Sequence, residues 1–326
     1  MHERVIVLGN PVLDYALEVE RLPVQAGQHQ EVRELAVGPG GAANTLIAGA
    51  RLGLAMQALG AVGDDDAGWQ LVDTLRAEGV DVDLVSIERG RRTTMVFVLS
   101  VPDGGQSFLG LHGAGAITRM SPGWAEAIRR AAALYFDGWT YGTLGPAVTL
   151  EAAHATADAS VPLFFDPGPQ WRQFSPEWLS EVLRCTSVLS LTEEEARSIV
   201  PGEATLEFVA RALRARGPQM VVVKRGAQGC LLQRDGETVE HPGFTVPVRD
   251  TTGAGDAVVA ALILARLRGY DLPATAALAN AAGAATVQRL GGGLNLPGVA
   301  EINALLQREG ITLPPGSARS LAGGVQ

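Results

Sequence analysis

The chain has 326 residues and a mass of 34.0 kDa, with 47% hydrophobic and 19% charged residues. This length allows two domains, or one large α/β domain with an appendage, and the composition excludes disordered, collagen-like and coiled-coil proteins. A net charge of −9, with no Lys/Arg run longer than a pair, argues against an extended nucleic-acid-binding surface.

Cysteine content and hydropathy indicate a cytoplasmic protein without a membrane partner. Two cysteines, Cys185 and Cys230, cannot form a disulfide framework in a chain of this size, which suits a reducing compartment. The first apolar run, Val5–Leu8, is too short for a signal peptide. The longest uncharged apolar run, 257–265, is about half of a membrane span.

Short apolar runs bounded by Gly, Asp or Pro predict buried strands. In chain order they are 5–8, 55–62, 133–136, 163–165, 188–191 and 220–223. Segments with helical spacing lie between and after them, at 44–52, 68–78, 122–132, 144–159, 192–200, 206–216, 257–268 and 275–289. Buried strands alternating with amphipathic helices predict an α/β fold whose parallel sheet is covered on both faces.

Two pairs of segments alternate apolar with polar residues, at 12–18 with 29–37 and at 93–101 with 106–112. The turn sequence Pro102-Asp103-Gly104-Gly105 predicts that the second pair is a hairpin. Half-buried antiparallel strands within a parallel α/β domain predict a small sheet that stands off the main body as a lid. The tail after Pro314, rich in Gly, Ser and Ala, is expected to be loosely ordered.

The segment Asp250-Thr251-Thr252-Gly253-Ala254-Gly255-Asp256 directly precedes a predicted helix and has the character of an anion site. Small residues let the backbone approach a ligand, and the helix adds its positive end. A carboxylate beside a bound phosphate repels it, so we expect one there only if it has a chemical role. Accepting a proton from an attacking hydroxyl is such a role. The alternative is that Asp256 caps the helix.

A second glycine-rich turn, Gly38-Pro39-Gly40-Gly41-Ala42-Ala43-Asn44, also leads into a helix. It matches the dinucleotide pattern G-x-G-x-x-G/A, and Asp64 follows at a suitable distance. The dinucleotide turn must follow a buried strand, however, and the preceding residues alternate like a lid strand. A turn that lets a polyhydroxylated ligand meet the backbone, with Asn44 as a hydrogen-bonding partner, and a plain helix entry are the other interpretations.

Other common nucleotide and catalytic motifs are missing from the sequence. The single lysine, Lys224, excludes a P-loop, and neither H-E-x-x-H nor G-x-S-x-G occurs. The five histidines are scattered without ligand spacing, which argues against a built-in metal.

Together, Gly40-Gly41-x-x-Asn44 and Asp250-Thr-x-Gly-Ala-Gly-Asp256 resemble the two motifs of the ribokinase-like (PfkB) carbohydrate kinases. The resemblance implies a three-layer α/β/α, doubly wound, mostly parallel sheet over residues 1–313, and a flexible tail at 314–326. It implies a small β-sheet lid, with strands at about 12–37 and 93–113, that also forms a homodimer contact. It further implies phosphorylation of a sugar-like hydroxyl with ATP and Mg²⁺.

The resemblance also assigns roles to individual residues. Asp256 would be the base, and the backbone of Gly253, Ala254 and Gly255 the anion hole. Asp14, Gly41 and Asn44 would hold ligand hydroxyls. Asn280 would lie near the adenine, and Asp250 and Thr252, with backbone near Gly291, would match a monovalent-cation (K⁺) site.

The metal-binding motif departs from the family pattern. Where the family has Asn-x-x-Glu, this chain has Thr192-Glu193-Glu194-Glu195, which keeps Glu195 but replaces Asn by Thr. Glu195 would act on Mg²⁺ through water. A row of glutamates favoured by the helix dipole is the alternative.

Lys224 follows a predicted strand and precedes Arg225-Gly226-x-x-Gly229, where relatives contact nucleotide phosphates. A point charge and a guanidinium fork are not interchangeable at a tight phosphate. A lone lysine among 26 basic residues therefore indicates a nucleotide-binding role, together with Gly226 and Thr252. A surface accident is the alternative.

Further ligand contacts are predicted where strands end at the rim of the sheet. These candidates are Thr94 and His112 in the lid, Asp137 with the following Trp139, and Asp166. Asp166 could equally cap a loop, and Trp139 could belong to the core.

The predicted function is an ATP-dependent kinase acting on a ribose-, fructose- or ketodeoxy sugar acid-type substrate. A nucleoside kinase, a non-catalytic sugar or nucleotide sensor, and an NAD-dependent oxidoreductase are the alternatives. The segments around Asp14, 40–44 and 137–139 contain no basic residue, which favours an unphosphorylated ligand, although Arg33, Arg91 or Arg92 could reach in from the lid.

Overall fold

The computed structural model describes residues 4–102, 105–113, 119–202 and 205–315. The predicted turn residues Asp103 and Gly104, and the predicted tail from residue 316 onward, lie outside these ranges. Among the described helices, none is long and apolar enough to cross a bilayer.

The described part of the chain is organised around a central eight-stranded sheet. Its strands are β1 (Val5–Leu8), β4 (Met56–Leu59), β9 (Ala133–Asp137), β10 (Leu163–Asp166), β11 (Val188–Thr192), β12 (Met220–Lys224), β13 (Cys230–Arg234) and β14 (Glu237–His241). Their order is β14-β13-β12-β11-β10-β9-β1-β4, with β13 antiparallel to both of its neighbours, β12 and β14, and all other neighbouring pairs parallel. The order reverses between β1 and β9, and ligands of doubly wound folds bind outside the strand ends at such a switch point.

Helices cover both faces of this sheet. They are α1 (Ala42–Arg51), α2 (Asp66–Ala77), α3 (Trp124–Arg129), α4 (Trp139–Thr143), α5 (Pro146–Ala159), α6 (Pro176–Cys185), α7 (Glu193–Ile199), α8 (Leu206–Arg214), α9 (Ala254–Arg268), α10 (Leu272–Thr286) and α11 (Val299–Arg308). Helices α1, α2, α9, α10 and α11 contribute to one core, and α3, α5, α6, α7 and α8 to the other. Alternate residues of β1 enter the two cores, so the fold has the predicted three layers.

A second sheet of four strands, here called the lid sheet, contains β2 (Pro11–Val19), β3 (Val32–Gly41), β7 (Met95–Ser100) and β8 (Gln106–Leu111) in the order β3-β2-β7-β8. Strand β2 runs parallel to β7 and antiparallel to β3, and β7 and β8 are antiparallel. The short strands β5 (Ala61–Gly63) and β6 (Ser86–Glu88) form a separate parallel pair. The alternating segments of the sequence thus form the separate sheet that they predict.

Several predicted bounds were wrong. The predicted strand 55–62 is divided at Gly60, where a side chain would come within 2.2 Å of the Gly9 carbonyl oxygen. The predicted helix 122–132 is confined to Trp124–Arg129, because it begins after Gly123 at φ 85° and its last turn gives way to β9. The β13–β14 hairpin and helices α6 and α11 were not predicted at all.

Candidate active site

The two glycine-rich motifs meet at the beginnings of α1 and α9. Gly41 and Gly253 precede these helices with φ values of 56° and 78°, a region that favours glycine. The side chain of Thr45, in the first turn of α1, donates a 2.8 Å hydrogen bond to Oδ1 of Asp256, in the first turn of α9. Segments about two hundred residues apart in sequence therefore form one site.

Asn44 links the same two helices to a third segment. Its Oδ1 accepts a 2.8 Å hydrogen bond from the backbone N–H of Gly293, and its side chain also bonds to Asp256. Gly292 packs so closely on Asn44 that a side chain there would come within 2.4 Å of Oδ1. Asn44 thus has protein partners on two sides, in addition to its predicted contact with a ligand.

Residues Gly253, Ala254 and Gly255 form the predicted anion turn at the start of α9. Gly253 supplies no side-chain cap, and the Ala254 N–H donates to the Thr251 carbonyl oxygen at 3.2 Å. The next two N–H groups, of Gly255 and Asp256, have no backbone acceptor among the described residues and can face a ligand at the start of this 15-residue helix. Lys224 lies beside this turn, since a Cβ placed on Gly255 would be 3.4 Å from its Nζ. Backbone donors, a helix dipole and one ammonium group thus suit a phosphoryl group.

Carboxylates end three neighbouring parallel strands next to this turn. Asp137 ends β9 and Asp166 ends β10, where the two residues are register partners. Glu195 lies at the start of α7, directly after β11, and Lys224 ends β12 and pairs with Asp166. Asp166, which the sequence left as a loop cap or a ligand contact, is therefore the ionic partner of the only lysine.

The pKa values of the carboxyl groups show how crowded the negative charge is. The pKa of Asp256 is raised to about 6, because burial and the charge of Asp166 raise it more than the hydrogen bonds of Thr45 and Asn44 and the charge of Lys224 lower it. Burial, followed by the charge of Asp256, raises the pKa of Asp137 to about 7. The site has more negative charge than Lys224 can balance.

Lys224 itself responds to the same charges. Burial lowers its pKa, but the ion pair with Asp166 and the nearby Glu195 and Asp256 raise it more, so that the net shift is upward. The ammonium form is thereby secured at neutral pH.

Glu195 has a structural role at the start of α7, which differs from the helix-dipole alternative in being a specific hydrogen bond. It closes a capping box, accepting a 2.7 Å hydrogen bond from the Thr192 N–H. Burial and Asp166 raise its pKa, which places it within the same group of charges. Within the described residues no three His, Cys, Asp or Glu side chains are placed to hold a metal directly. Mg²⁺ fits such carboxylates only in its usual manner, through water and substrate phosphates.

The predicted substrate residues lie under the base of the lid sheet. Asp14 is buried on β2, where burial and the charges of Asp256 and Asp250 raise its pKa to about 7. Gly40 is required beside it, because a Cβ there would come within 1.8 Å of an Asp14 carboxylate oxygen. Thr94 is buried and accepts a 3.1 Å hydrogen bond from the Gly113 N–H, whereas His112 is exposed.

Asp250 and Thr252, the residues of the cation site that the resemblance implies, are hydrogen-bonded to each other and to the lid sheet. Asp250 Oδ1 accepts hydrogen bonds from Gln106 Nε2 at 2.7 Å, from Thr252 Oγ1 at 2.9 Å and from the Thr252 N–H at 3.0 Å. Its Oδ2 accepts one from the Gly291 N–H at 2.6 Å. Three of these four donors bond to Oδ1 and one to Oδ2 of a buried carboxylate, so the implied K⁺ site stays a prediction in which a cation would share Asp250 with them.

The predicted nucleotide residues lie around the β12–β13 hairpin. Gly226, with φ 55°, begins the turn after Lys224, and Cys230 pairs with Lys224 across the hairpin. Asn280 of α10 donates hydrogen bonds to Cys230 Sγ at 3.1 Å and to the Ala276 carbonyl oxygen at 3.0 Å. Lys224 thus lies between the hairpin turn that follows it and the anion turn beside its Nζ, an arrangement that suits a nucleoside triphosphate.

Sequence reasoning missed two residues of this site. Thr45 is fully buried and orients Asp256, but a threonine inside a helix carries no motif. Asn10 is 6% exposed, its Oδ1 accepts a 2.8 Å hydrogen bond from Ala61 N–H, and its Nδ2 has no partner among the described residues. Its position directly after the buried strand β1 was the available signal.

Comparison with known proteins relates this geometry to a family. The profile described as "pfkB family carbohydrate kinase" matches residues 2–298. An ATP-dependent ribose-1-phosphate kinase of Halopiger xanaduensis is 31% identical over 288 residues, covering 88% of this chain and 93% of the relative. A nucleoside kinase of Methanothermobacter thermautotrophicus is 25% identical, covering 91% and 93%. The structure of Arabidopsis thaliana ribokinase with ribose and ATP is 27% identical, with a TM-score of 0.78 and coverage of 94% and 99%.

Proposed function

Because this chain belongs to the pfkB family of carbohydrate kinases, we propose that it transfers the γ-phosphoryl group of ATP to a hydroxyl of a small sugar or nucleoside, with Asp256 as general base. The observation that carries the proposal is the position of Asp256. Its carboxylate lies in the first turn of α9 beside the anion turn and is oriented by Thr45. A carboxylate in this position opposes phosphate binding by charge repulsion, and a role as the acceptor of the hydroxyl proton explains why it is there.

In this mechanism the chain positions the reactants and handles one proton. Asp14, with Gly41 and Asn44, holds the acceptor so that its hydroxyl faces Asp256. The hydroxyl oxygen bonds to the γ-phosphorus as the bond to the β-phosphate bridging oxygen breaks, and the proton passes to Asp256. The anion turn and Lys224 stabilise the charge on the transferring group. The lid sheet excludes water, which would otherwise accept the phosphoryl group.

The proposal gives Mg²⁺ a role and gives K⁺ none. Mg²⁺, bound to the nucleotide phosphates, would neutralise phosphate charge, with Glu195 and Asp166 as the carboxylates that face its water ligands. No step is assigned to K⁺.

Two alternative functions make different demands on these residues. A non-catalytic sensor needs no base, and the oriented carboxylate of Asp256 argues against it. A dehydrogenase needs the Gly38–Gly41 turn to follow a buried parallel strand, but these residues end β3, a lid strand paired antiparallel with β2.

We propose a homodimer that forms through the outer face of the lid sheet. Alternate residues of the outer strands expose apolar side chains on this face: Leu35, Val37, Leu109 and Leu111, each 47–57% exposed. Between them Tyr15 and Phe97 stack with ring centroids 4.9 Å apart. A contiguous apolar patch of this kind is typical of a protein interface.

ADP release by the purified protein tests the kinase proposal. Mg-ATP is supplied with pentoses, hexoses, sugar acids, nucleosides and sugar phosphates, and Asp256→Asn is assayed in parallel. Turnover on one substrate class that is lost in the variant would support the proposal. ATP binding without turnover on any acceptor would favour the sensor.

A further inference from the structure

The lid sheet has an inner face that is turned toward the active site. Side chains at Ala16 and Ala36 lie on this face, because a Cβ on Gly291 would be 3.4 Å and 3.5 Å from theirs. Gln106 lies on it as well, since it reaches Asp250. Side chains alternate along a strand, so Phe108 and Gly110 of β8 belong to the same face as Gln106.

The inner face is open beside Asp14. Gly38, Asp14, Val96 and Gly110 form one row across the four strands. A Cβ placed on Gly38 or on Gly110 would meet nothing within 4 Å. The row therefore has free space at Gly38, directly beside the Asp14 carboxylate, and at Gly110, on the far side of Val96, and the predicted acceptor would bind across this row.

Phe108 borders this space with an exposed aromatic ring. It is 49% exposed although it lies on the inner face, next to Gly110 in the alternation of β8. The two residues are about 7 Å apart along the strand. A flat ring can therefore lie over Gly110, with one face against the Phe108 ring.

The charges around Asp14 also bear on which acceptor can bind in this space. Burial and the carboxylates of Asp256 and Asp250 raise the pKa of Asp14, so the surroundings are negative. Lys224 pairs with Asp166, and the three lid arginines, Arg33, Arg91 and Arg92, are all exposed, Arg33 lying on β3 five residues from Gly38. An acceptor with a phosphate or carboxylate group is disfavoured here, whereas a neutral one is not.

We propose that Phe108 and the gap at Gly110 form a subsite for the heteroaromatic base of a nucleoside, which makes a nucleoside the preferred acceptor. This inference rests on the proposed kinase function. The ribose hydroxyls contact Asp14, and the base stacks on Phe108. Stacking on an aromatic side chain tolerates every base because each has a π-face, so we expect purine and pyrimidine nucleosides to bind.

The test compares ribose, ribose 1-phosphate, adenosine, inosine and cytidine as acceptors. We expect a higher kcat/KM for at least one nucleoside than for either ribose compound. Phe108→Ala should lower that nucleoside's kcat/KM about tenfold or more, mainly through KM, and change the ribose value less than twofold. Phe108→Tyr, which restores the ring, should recover most of the loss. The matched control is Phe208→Ala on α8, a phenylalanine that is 59% exposed away from the lid sheet.

Failure of this inference can be distinguished from failure of the kinase proposal. A preference for ribose or ribose 1-phosphate, or equal effects of Phe108→Ala and Phe208→Ala, would overturn the subsite and leave the kinase intact. If no acceptor turns over, calorimetry with inosine and adenosine decides the matter. Binding that Phe108→Ala weakens would support the subsite without the kinase, and absent or unchanged binding would overturn the subsite.

Discussion

Replacing Asp256 by Asn should stabilise the protein and inactivate it. Asn keeps the size of the side chain, and its oxygen can still accept the Thr45 hydrogen bond. Burial raises the pKa of Asp256 from 3.8 to about 6, so the folded state holds this proton more tightly than the unfolded state. Stability from this group is therefore complete below pH 4 and lost as pH rises through about 6. A shift of this size corresponds to at most about 3 kcal/mol.

The expected result for Asp256→Asn is a gain of up to about 3 kcal/mol at pH 8 and none at pH 4, measured by urea denaturation at both values. ADP release should fall by about 10²–10⁴-fold, the range for removal of a general base. Asp158→Asn, on the exposed surface of α5, is the control and should change neither quantity. Wild-type turnover would remove Asp256 from the mechanism, and a loss of stability at pH 8 would refute the electrostatic argument.

Three further predictions concern the neighbours of this site. Thr45→Val removes a hydrogen bond that lowers the pKa of Asp256, so the acid limb of kcat/KM should move to higher pH and return with Thr45→Ser; an unmoved limb would contradict this. Gln106→Ala removes one of the three donors to Asp250 Oδ1, so K⁺ should activate this variant several-fold more than the wild type. Equal activation of the two would show that Gln106 does not compete with the cation. Leu35→Glu places a charge on the outer face of the lid sheet and should make the protein monomeric, as measured by light scattering. A dimer that persists in this variant would show that the interface lies elsewhere.

The architecture was predictable where the chain obeys simple periodicities. Continuous apolar runs predicted the parallel strands, and period-two alternation predicted a separate lid sheet, because burial on two faces or one imposes these patterns. The β13–β14 hairpin had a signal that was overlooked. Asp235-Gly236 joins these strands with φ values of 50° and 82°, as an Asp-Gly hairpin turn requires.

The contacts within the site were less predictable than its motifs. The glycines around Asp256 and Asn44 can be recognised in the sequence, because close approaches of the backbone require glycine. Thr45 and Gln106 do not, since their roles depend on which distant segment packs against them. Lys224 was singled out by its rarity, but its ion pair with Asp166 could be read only from the order of β10, β11 and β12.

The accumulation of carboxylates at one edge of the sheet is best understood as a requirement of the reaction. Asp14, Asp137 and Asp256 are held at pKa values of about 7, 7 and 6, which costs the empty protein stability at neutral pH. A site selected for stability alone would replace them by neutral groups. A cation that arrives with the nucleotide would relieve this repulsion, and it would lower the pKa of Asp256 just as the acceptor is positioned. With a pKa of about 6, Asp256 is already mostly ionised at neutral pH, and the cation would complete its ionisation as the acceptor is positioned.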